Sequence, residues 1–387
     1  MITDGVPALL LPHQLLATGN ANATMLGLVS LVAIGLGALI QPFAGRLSDS
    51  WGRAPLILVG LALALLGLVA LMLPELALAA AIVAIVGASI AQAGQQPLLP
   101  DLVPARLRGR GAGLKGVFDV GGAFLGFVLL AALLGEGRTF IAVIVLAVVL
   151  VGSFGVAFVL LRRDACTGRR RVPRLALPAL RVSSPFVQLV VARFLFLFGI
   201  YVVGRFLVLF VAQRFELDAN AAAEQGGTVL AVLTLATVLA SLPAGWLSDR
   251  IGRGRLMLGG GAVGALGMML LPLGGELIIV ISLGVLVAVG SAAFSAGSWA
   301  ALTDFAEGQD AGRLLGLASW GTAGAAAAAG LAGPLIDLGE QAAFGAGFFV
   351  AFVISGLLAL VGGSLGWHLS SGERSPVFDA RAGQGMS

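Results

Sequence analysis

Two ionisable residues, Lys115 and Asp119, lie in an otherwise apolar stretch of the sequence, over residues 111–134. A spacing of four places both side chains on one face of a helix. A carboxyl group beside a cation takes up and releases a proton as its surroundings change. The pair therefore predicts proton coupling or the binding of a polar ligand. Two alternatives stay open, namely a pair that only neutralises itself and a lysine that extends to the polar boundary.

A second set of candidates lies on the apolar stretch 186–211, which contains Arg193, Tyr201 and Arg205. Twelve residues separate the two arginines, which is more than three turns of helix. Together they could bind an anionic group, or each could extend to its own end of the helix. Gln92 and Gln95 lie near the end of the stretch 76–99, where side-chain amides could bind a polar ligand or join helices.

The composition indicates what kind of protein carries these candidates. Hydrophobic residues make up 59% of the 387 and charged residues only 11%, whereas a soluble domain carries about 25% charged residues. The basic residues form short clusters between apolar runs, which argues against nucleic-acid binding and is typical of membrane topology. One cysteine and two separated histidines exclude a disulfide framework and a Cys/His metal site. No nucleotide loop or nucleophile motif is present either, so we expect no enzyme and no cofactor.

Eleven apolar stretches are long enough to cross a lipid bilayer, whose core of about 30 Å needs about 20 helical residues. They cover 24–44, 54–73, 76–99, 111–134, 140–161, 186–211, 225–244, 256–274, 277–300, 313–336 and 344–367. The sequence therefore predicts an all-α polytopic membrane protein with eleven complete helices. Residues 7–12 form an apolar segment too short to cross. We expect it to belong to an incomplete first helix that lacks about ten to twenty upstream residues.

The arginines predict the orientation of these helices. If residues 45–53 are cytoplasmic, 18 of the 23 basic residues lie in cytoplasmic segments, and only Arg138 and Arg214 lie on the opposite side. This bias predicts a multi-pass protein of the cytoplasmic (inner) membrane with a cytoplasmic C-terminus.

One sequence pattern occurs twice. Residues 45–53 read G-R-L-S-D-S-W-G-R, and residues 245–253, 200 positions later, read G-W-L-S-D-R-I-G-R. Asp101 and Asp304 begin a second pair of similar segments at an offset of 203. Two motifs at nearly one offset predict a duplication with both halves in the same orientation. The predicted domains are a first helix bundle over 1–161, a cytoplasmic linker over 162–184, a second bundle over 185–368 and a cytoplasmic tail over 369–387.

The repeated pattern G-x-L-S-D-x-x-G-R resembles the signature segment of the major facilitator superfamily, and the resemblance extends over residues 40–367. It implies two six-helix bundles, related by a pseudo-two-fold axis, that rock and expose a central cavity to each side in turn. The function implied is that of a permease, a monomeric secondary transporter of a small-molecule substrate. We expect protons to drive it, and the apolar helices favour an efflux-type member.

The resemblance also implies that the repeated segments gate the cytoplasmic side. The candidate gating residues are Gly45, Asp49, Gly52, Arg53, Gly245, Asp249, Arg250, Gly252 and Arg253. Asp49 and Asp249 would accept hydrogen bonds from a helix N-terminus or an arginine while that side is closed; the alternative is a static turn. Gly45 and Gly245 are expected to allow a tight exit from a helix and close packing. The first copy departs from the family pattern, since Ser50 and Ala54 stand where basic residues are common.

The repeat offset also places Asp4 opposite Arg205, an acid and a base on equivalent helices. We expect them to approach each other in one state of transport, unless Arg205 extends outward and Asp4 frays at the chain end. Two alternatives to a working transporter stay open. One is a transporter-like sensor that binds a solute without moving it, and the other is an inactive truncated transporter.

Overall fold

The computed structural model describes residues 5–19, 22–95, 108–163, 184–305 and 311–372. Every regular element in these ranges is a helix, which confirms the all-α prediction. In chain order the helices are α1 Val6–Ala17, α2 Ala23–Trp51, α3 Arg53–Ala70, α4 Ala77–Gln95, α5 Arg108–Gly135, α6 Thr139–Arg163, α7 Ser184–Arg214, α8 Ala219–Ile251, α9 Arg253–Leu270, α10 Leu277–Phe305, α11 and α12 Ala346–Gly372. The helix α11 consists of Ala311–Ala328, a 3₁₀ turn at Ala329–Leu331 and a second segment, Ala332–Ala342.

Nine helices in the described ranges are long and apolar enough to cross a membrane, namely α2, α3, α4, α6, α7, α8, α9, α10 and α12. The predicted spans 111–134 and 313–336 fall in α5, whose apolar part is Val120–Gly135, and in α11, which the 3₁₀ turn divides. The predicted number of eleven complete spans therefore stays a prediction. The short segment 7–12 lies in α1, whose Leu9, Leu10 and Leu11 are fully buried.

Residue contacts divide the chain into two compact units. Of the described residues, the first unit contains those up to Arg163, together with Tyr201–Thr234 and Ala326–Ala351. It therefore contains α1 to α6 and parts of α7, α8, α11 and α12. The second unit contains the other parts of those four helices together with α9 and α10. The predicted domain boundaries stay a prediction, and residues 164–183 of the predicted linker lie outside the described residues.

Glycines bring helix pairs close together in both units, at positions that follow the repeat. In the first unit, a Cβ atom at Gly60 of α3 would lie 2.3 Å from the backbone nitrogen of Ala91 in α4. In the second unit, a Cβ atom at Gly260 of α9 would lie 2.6 Å from the backbone nitrogen of Phe294 in α10. Both pairs pack backbone against backbone, as small residues allow between membrane helices. The offset from Gly60 to Gly260 is again 200.

One end of the first unit is formed by the end of α1, the start of α2 and the turns 71–76, 136–138, 215–218 and 343–345. We call it the arginine-poor face. Among the described residues it carries Arg138 and Arg214, the two arginines that the sequence places away from the cytoplasm. The helices α1 to α6 are called the first repeat below, and α7 to α12 the second repeat.

Candidate functional site

The two signature segments form the same backbone turn, one in each unit. Gly52 alone separates α2 from α3, with φ 98° and ψ 156°. Gly252 alone separates α8 from α9, with φ 89° and ψ 147°. A side chain is strained in this region of backbone conformation, which essentially only glycine adopts. The second glycine of each signature is therefore required by a turn of one residue.

The prediction that Gly45 and Gly245, the first glycines of the two signatures, form a tight helix exit is wrong. Both α2 and α8 continue for six residues beyond Gly45 and Gly245, so neither glycine lies at a helix exit. A Cβ atom at either position would meet no described atom within 4 Å, so close packing does not require glycine there. The exit lies at Gly52 and Gly252, because only there does the backbone leave the right-handed helical region.

The side chains around the two turns differ. In the first copy, Arg53 Nη1 donates a hydrogen bond to Ser48 Oγ, which donates in turn to the carbonyl oxygen of Gly45 at 2.8 Å. In the second copy, the guanidinium of Arg250 lies over the ring of Trp246, 3.7 Å from its centroid. The duplicated segments therefore share their backbone and have diverged in their side-chain contacts.

Lys115 and Asp119 lie on the predicted helix, whereas Asp49 and Asp249, expected in the segments between helices, lie on helices that continue past the predicted ends. The roles of all four stay predictions. Asp49 and Asp249 lie in the last turns of α2 and α8, and Lys115 and Asp119 lie on α5. Arg253 is the first residue of α9. Their placement is consistent with gating and coupling but does not test either role.

The remaining candidates fall in different surroundings. Gln92 and Gln95 are exposed near the end of α4. Tyr201 is half-buried on α7, and Arg205, one turn further on, is 5% exposed. Asp4 lies outside the described residues, so its predicted approach to Arg205 is not tested.

Arg193 is the best-defined polar centre of the second unit. It lies on α7, is 4% exposed, and donates from Nη1 to Ser298 Oγ of α10 at 2.6 Å and from Nε to Thr322 Oγ1 of α11 at 3.2 Å. Its guanidinium lies 4.4 Å from the centroid of the Trp299 ring. A buried cation held by hydroxyl groups and an indole face is fixed among helices, about 14 Å from the start of α7 by helical rise. An ionisable residue fixed in this way within apolar helices is a candidate for function.

In the first unit, the start of α2 is capped by two residues, one local and one distant. Asn22 Oδ1 accepts a hydrogen bond from the backbone nitrogen of Met25 at 3.1 Å. Asp337, on the second segment of α11, accepts from the backbone nitrogens of Ala23 at 3.1 Å and Thr24 at 2.7 Å, one at each carboxylate oxygen. The first turn of a helix leaves such N–H groups without partners in the helix itself. A helix of the second repeat therefore completes the cap of a helix of the first.

Three residues after Asp337, Glu340 caps a different helix. Its carboxylate accepts hydrogen bonds from the backbone nitrogens of Gly345 at 2.8 Å and Gly347 at 2.9 Å, at the start of α12. It also accepts from Nε2 of Gln213, near the end of α7. All of these partners belong to the second repeat, so Glu340 joins helices of one repeat only.

A contact between two side chains links α1 to the start of α8 at the same face. His13 is 3% exposed, and its Nε2 lies 3.0 Å from Asn220 Oδ1. The neighbouring Gln14 donates to the carbonyl oxygen of Leu71 at 2.9 Å. In this contact a side chain of the first repeat meets a side chain of the second.

Helices of the two repeats cross at this face through glycines. A Cβ atom at Gly27 of α2 would lie 2.1 Å from the carbonyl oxygen of Gly330 in α11, and one at Gly333 would lie 2.3 Å from the carbonyl oxygen of Ala23. A Cβ atom at Gly227 of α8 would lie 2.6 Å from the Cβ atom of Ala131 in α5. We call these contacts the α2–α11 crossing and the α5–α8 crossing.

Sequence reasoning identified Arg193 but missed most of the polar residues of the arginine-poor face. Asp337 and Glu340 lie on one helix face because they are three residues apart. Acidic residues are favourable near helix N-termini, which is a usable signal. The identity of the capped helix is not encoded locally, since the bond from Ala23 to Asp337 spans 314 positions.

The chain matches the family model described as Major Facilitator Superfamily over residues 1–223 and again over 189–382. Among curated proteins, no sequence matches this chain. Solved structures match it over nearly its full length. One is a POT family transporter in complex with 5-aminolevulinic acid, with a TM-score of 0.77, 15% identity, and coverage of 96% of this chain and 93% of that one.

Two further structures have similar scores. A bacterial homologue of the iron transporter ferroportin, in an inward-facing state, has a TM-score of 0.71 and 18% identity over 96% of this chain and 95% of that one. A D-xylose–proton symporter has a TM-score of 0.69 and 16% identity over 95% and 93%. At such identities the similarity is one of fold.

Proposed function

Because the chain belongs to the major facilitator superfamily, we propose that it carries a small-molecule substrate across the cytoplasmic membrane by alternating access. The match to the family extends over both repeats, and the three structures of similar fold are those of transporters. We propose that the transporter works as a monomer. We also propose that it exports its substrate, because its helices are generally apolar.

The observation that supports alternating access is the closed arginine-poor face of the first unit. There α2 and α5 of the first repeat cross α11 and α8 of the second, with glycine at each crossing. Smooth backbone surfaces can separate without unlocking interdigitated side chains, which a rocking motion of two bundles requires. We assign this face to the non-cytoplasmic side, following the distribution of arginines.

For the substrate and the coupling ion we propose residues on α7 and α5. Arg193, held by Ser298 and Thr322, is an ionisable residue fixed within apolar helices, and such residues are functional candidates by default. Asp119 is the proposed proton carrier, with Lys115 as its charged neighbour. Protons are the proposed coupling ion because the sequence has no nucleotide-binding motif.

At the cytoplasmic side, we propose that Asp49 and Asp249 stabilise closure. The turns at Gly52 and Gly252 support this role, because each begins a new helix four residues after the aspartate. A helix N-terminus attracts a carboxylate through its unpaired N–H groups and its dipole.

Transport by purified protein in liposomes tests the proposal. We expect at least one labelled solute from a panel of small organic molecules to enter or leave vesicles only with a pH gradient. Asp119→Asn removes a titratable carboxyl group and should lower gradient-driven transport by at least about tenfold. Lys115→Arg keeps the positive charge and should retain most of it.

The alternatives have distinct outcomes in the same experiment. If Asp119→Asn leaves the response to the pH gradient unchanged, Asp119 is not the proton carrier. If a solute binds with measurable affinity but does not cross, the sensor alternative is supported. If no member of the panel binds or crosses, the inactive-transporter alternative gains support.

A further inference from the structure

We propose that the carboxylate of Asp337 is a latch, which holds the arginine-poor face closed by capping α2 and releases α2 when that face opens. The proposal rests on the proposed function in one respect, because it takes alternating access as the reason for the face to open. It assigns to one side chain a contact that joins the two repeats in one state only.

The argument begins with the N–H groups in the first turn of α2. A helix leaves its first four N–H groups without internal partners. In α2 the side chain of the local residue Asn22 accepts from the backbone nitrogen of Met25, and its carbonyl oxygen accepts the first regular bond of the helix, from Leu26 at 3.3 Å. Ala23 and Thr24 donate instead to Asp337 of α11. Two of the three N–H groups at residues 23–25 are therefore capped by the other repeat.

The chemistry of this cap makes it stronger than the neutral contacts around it. An ionised carboxylate that accepts backbone N–H groups forms charge-assisted bonds, roughly twice as strong as those between neutral groups. It also lies at the positive end of the α2 dipole. Because both oxygens of Asp337 are used, an amide at this position could accept only one of the two bonds.

The position of the latch matches the crossing that it would hold. Gly333 lies one turn before Asp337 on α11 and packs on the carbonyl oxygen of Ala23. A spacing of four places Gly333 and Asp337 on the same face of the helix. The glycines of this crossing allow the two helices to pack closely, but they have no side chain that could bind α2. The carboxylate of Asp337 therefore makes the directional contact.

Water can reach the latch, which allows it to open reversibly. Asp337 is half-buried and lines a groove of about 740 Å³ in the first unit, together with Asn22, Thr24, Pro334, Leu338, Glu340 and Gln341. When the crossing parts, water can solvate both the carboxylate and the freed N–H groups. Neither partner is then left buried without a hydrogen bond, which would carry a large cost.

Glu340 provides a matched comparison on the same helix face. It is also a carboxylate that caps a helix, but its partners in α7 and α12 all belong to the second repeat. Contacts within one repeat move with that bundle when two bundles rock. The Glu340 cap should therefore persist in both states, whereas the Asp337 cap should not.

A reporter cysteine measures the opening of this face without any substrate. Leu9 is fully buried on α1, and its Cδ2 would lie 3.1 Å from a Cβ atom at Gly227 of α8. We would introduce Leu9→Cys in a Cys166→Ser background, where the smaller side chain fits the site. The rate of its reaction with a bulky, charged maleimide would be measured on purified protein in detergent.

In this background we expect Asp337→Asn to raise the labelling rate about tenfold, because one charge-assisted bond and the carboxylate charge are lost. Glu340→Gln should leave the rate within about twofold, since it removes the same charge from a cap within one repeat. An unchanged rate in Asp337→Asn, or an equal rise in Glu340→Gln, would overturn the proposal. If Asp337→Asn does not yield folded protein, Asp337→Ser provides the same loss of a two-oxygen acceptor.

This test separates the latch from the proposed function. Labelling needs neither a substrate nor a gradient, so a chain that transports nothing still reports whether its arginine-poor face opens. Conversely, transport could depend on Asp119 while Asp337→Asn leaves the labelling rate unchanged. That result would support the proposed function and contradict the latch.

Discussion

The arginine-poor face contains two helix crossings that the internal repeat relates to each other. The α2–α11 crossing contains Gly27 and the α5–α8 crossing contains Gly227, which are 200 positions apart. Both crossings join a helix of the first repeat to a helix of the second at glycines. Their polar contacts differ, however, and the difference shows what the duplication preserved.

At the α2–α11 crossing, the carboxylate that completes the cap of α2 comes from the other repeat. The N-terminus of α8 is capped instead by its own Asp218, whose Oδ1 accepts from the backbone nitrogen of Ala221 at 2.9 Å. A hydrogen bond between the side chains of His13 and Asn220 joins the repeats near the start of α8. The backbone crossing was therefore kept in both copies, while the side chains that accept hydrogen bonds between the repeats differ, a carboxylate at the start of α2 and a side-chain amide at the start of α8.

The difference in polar contacts should affect how easily each crossing separates. Two crossings that are related by the repeat but differ in their polar contacts are expected to resist separation unequally, with the greater resistance at α2–α11. Three comparisons between matched positions, each measured by labelling of the cysteine from Leu9→Cys, test that expectation.

The largest effect is expected from filling the crossings themselves. Gly27→Ala would place a Cβ atom 2.1 Å from the carbonyl oxygen of Gly330, and Gly227→Ala would place one 2.6 Å from the Cβ atom of Ala131. Overpacking of this kind costs typically 1–3 kcal/mol, so both should raise the labelling rate, Gly27→Ala by about tenfold or more. Gly227→Ala should act less, because a methyl group yields more easily than backbone. The reverse ranking would show that α5–α8 is the tighter crossing.

An intermediate effect is expected from Asn220→Ala. The change leaves Nε2 of the buried His13 without the acceptor it has in the closed face. Loss of one hydrogen bond costs about 1 kcal/mol, which corresponds to about a fivefold faster labelling rate. The effect should stay below that of Asp337→Asn, whose bonds are charge-assisted. If the effect of Asn220→Ala exceeded that of Asp337→Asn, the contact between His13 and Asn220 would be the principal one at this face.

The smallest effect is expected from Asp218→Asn. Asparagine caps a helix about as well as aspartate does, and the bond from Ala221 to Asp218 lies within one helix end. We expect labelling to change by less than about twofold and the thermal unfolding midpoint to stay nearly constant. A rise as large as that of Asp337→Asn would mean that caps at this face act through helix stability alone, and the comparison would fail.

Local patterns in the sequence were sufficient to predict the helical class and to find the repeated signature. The apolar composition indicates that lipid surrounds most of the chain. In the structure, the backbone leaves the helix at Gly52 and Gly252. The sequence misplaced the role of Gly45, because nothing in residues 46–51 prevents helix from continuing past it. Periodicity indicates that a helix exists but leaves its end uncertain by several residues.

The residues that bind Arg193 could not be predicted, because they lie far from it in the sequence. Arg193 was identifiable as an ionisable residue in an apolar helix, whereas Ser298 and Thr322 were not. A hydroxyl group in a helix can bond the carbonyl of its own preceding turn, as Thr322 does with Ala318 at 3.2 Å. Its presence in a sequence therefore predicts no particular neighbour, and only the packing of α7, α10 and α11 brings the three together.

The distance between α2 and its latch also has a consequence for biosynthesis. The backbone N–H groups of Ala23 and Thr24 donate to Asp337, which lies 314 and 313 positions later in the sequence. A ribosome that adds about 5–20 residues per second needs about 15–60 s to reach it. Throughout that interval Asn22 is the cap that α2 has from its own sequence. The nascent first repeat must therefore persist in the membrane with an unfinished helix end, which translation of α11 completes.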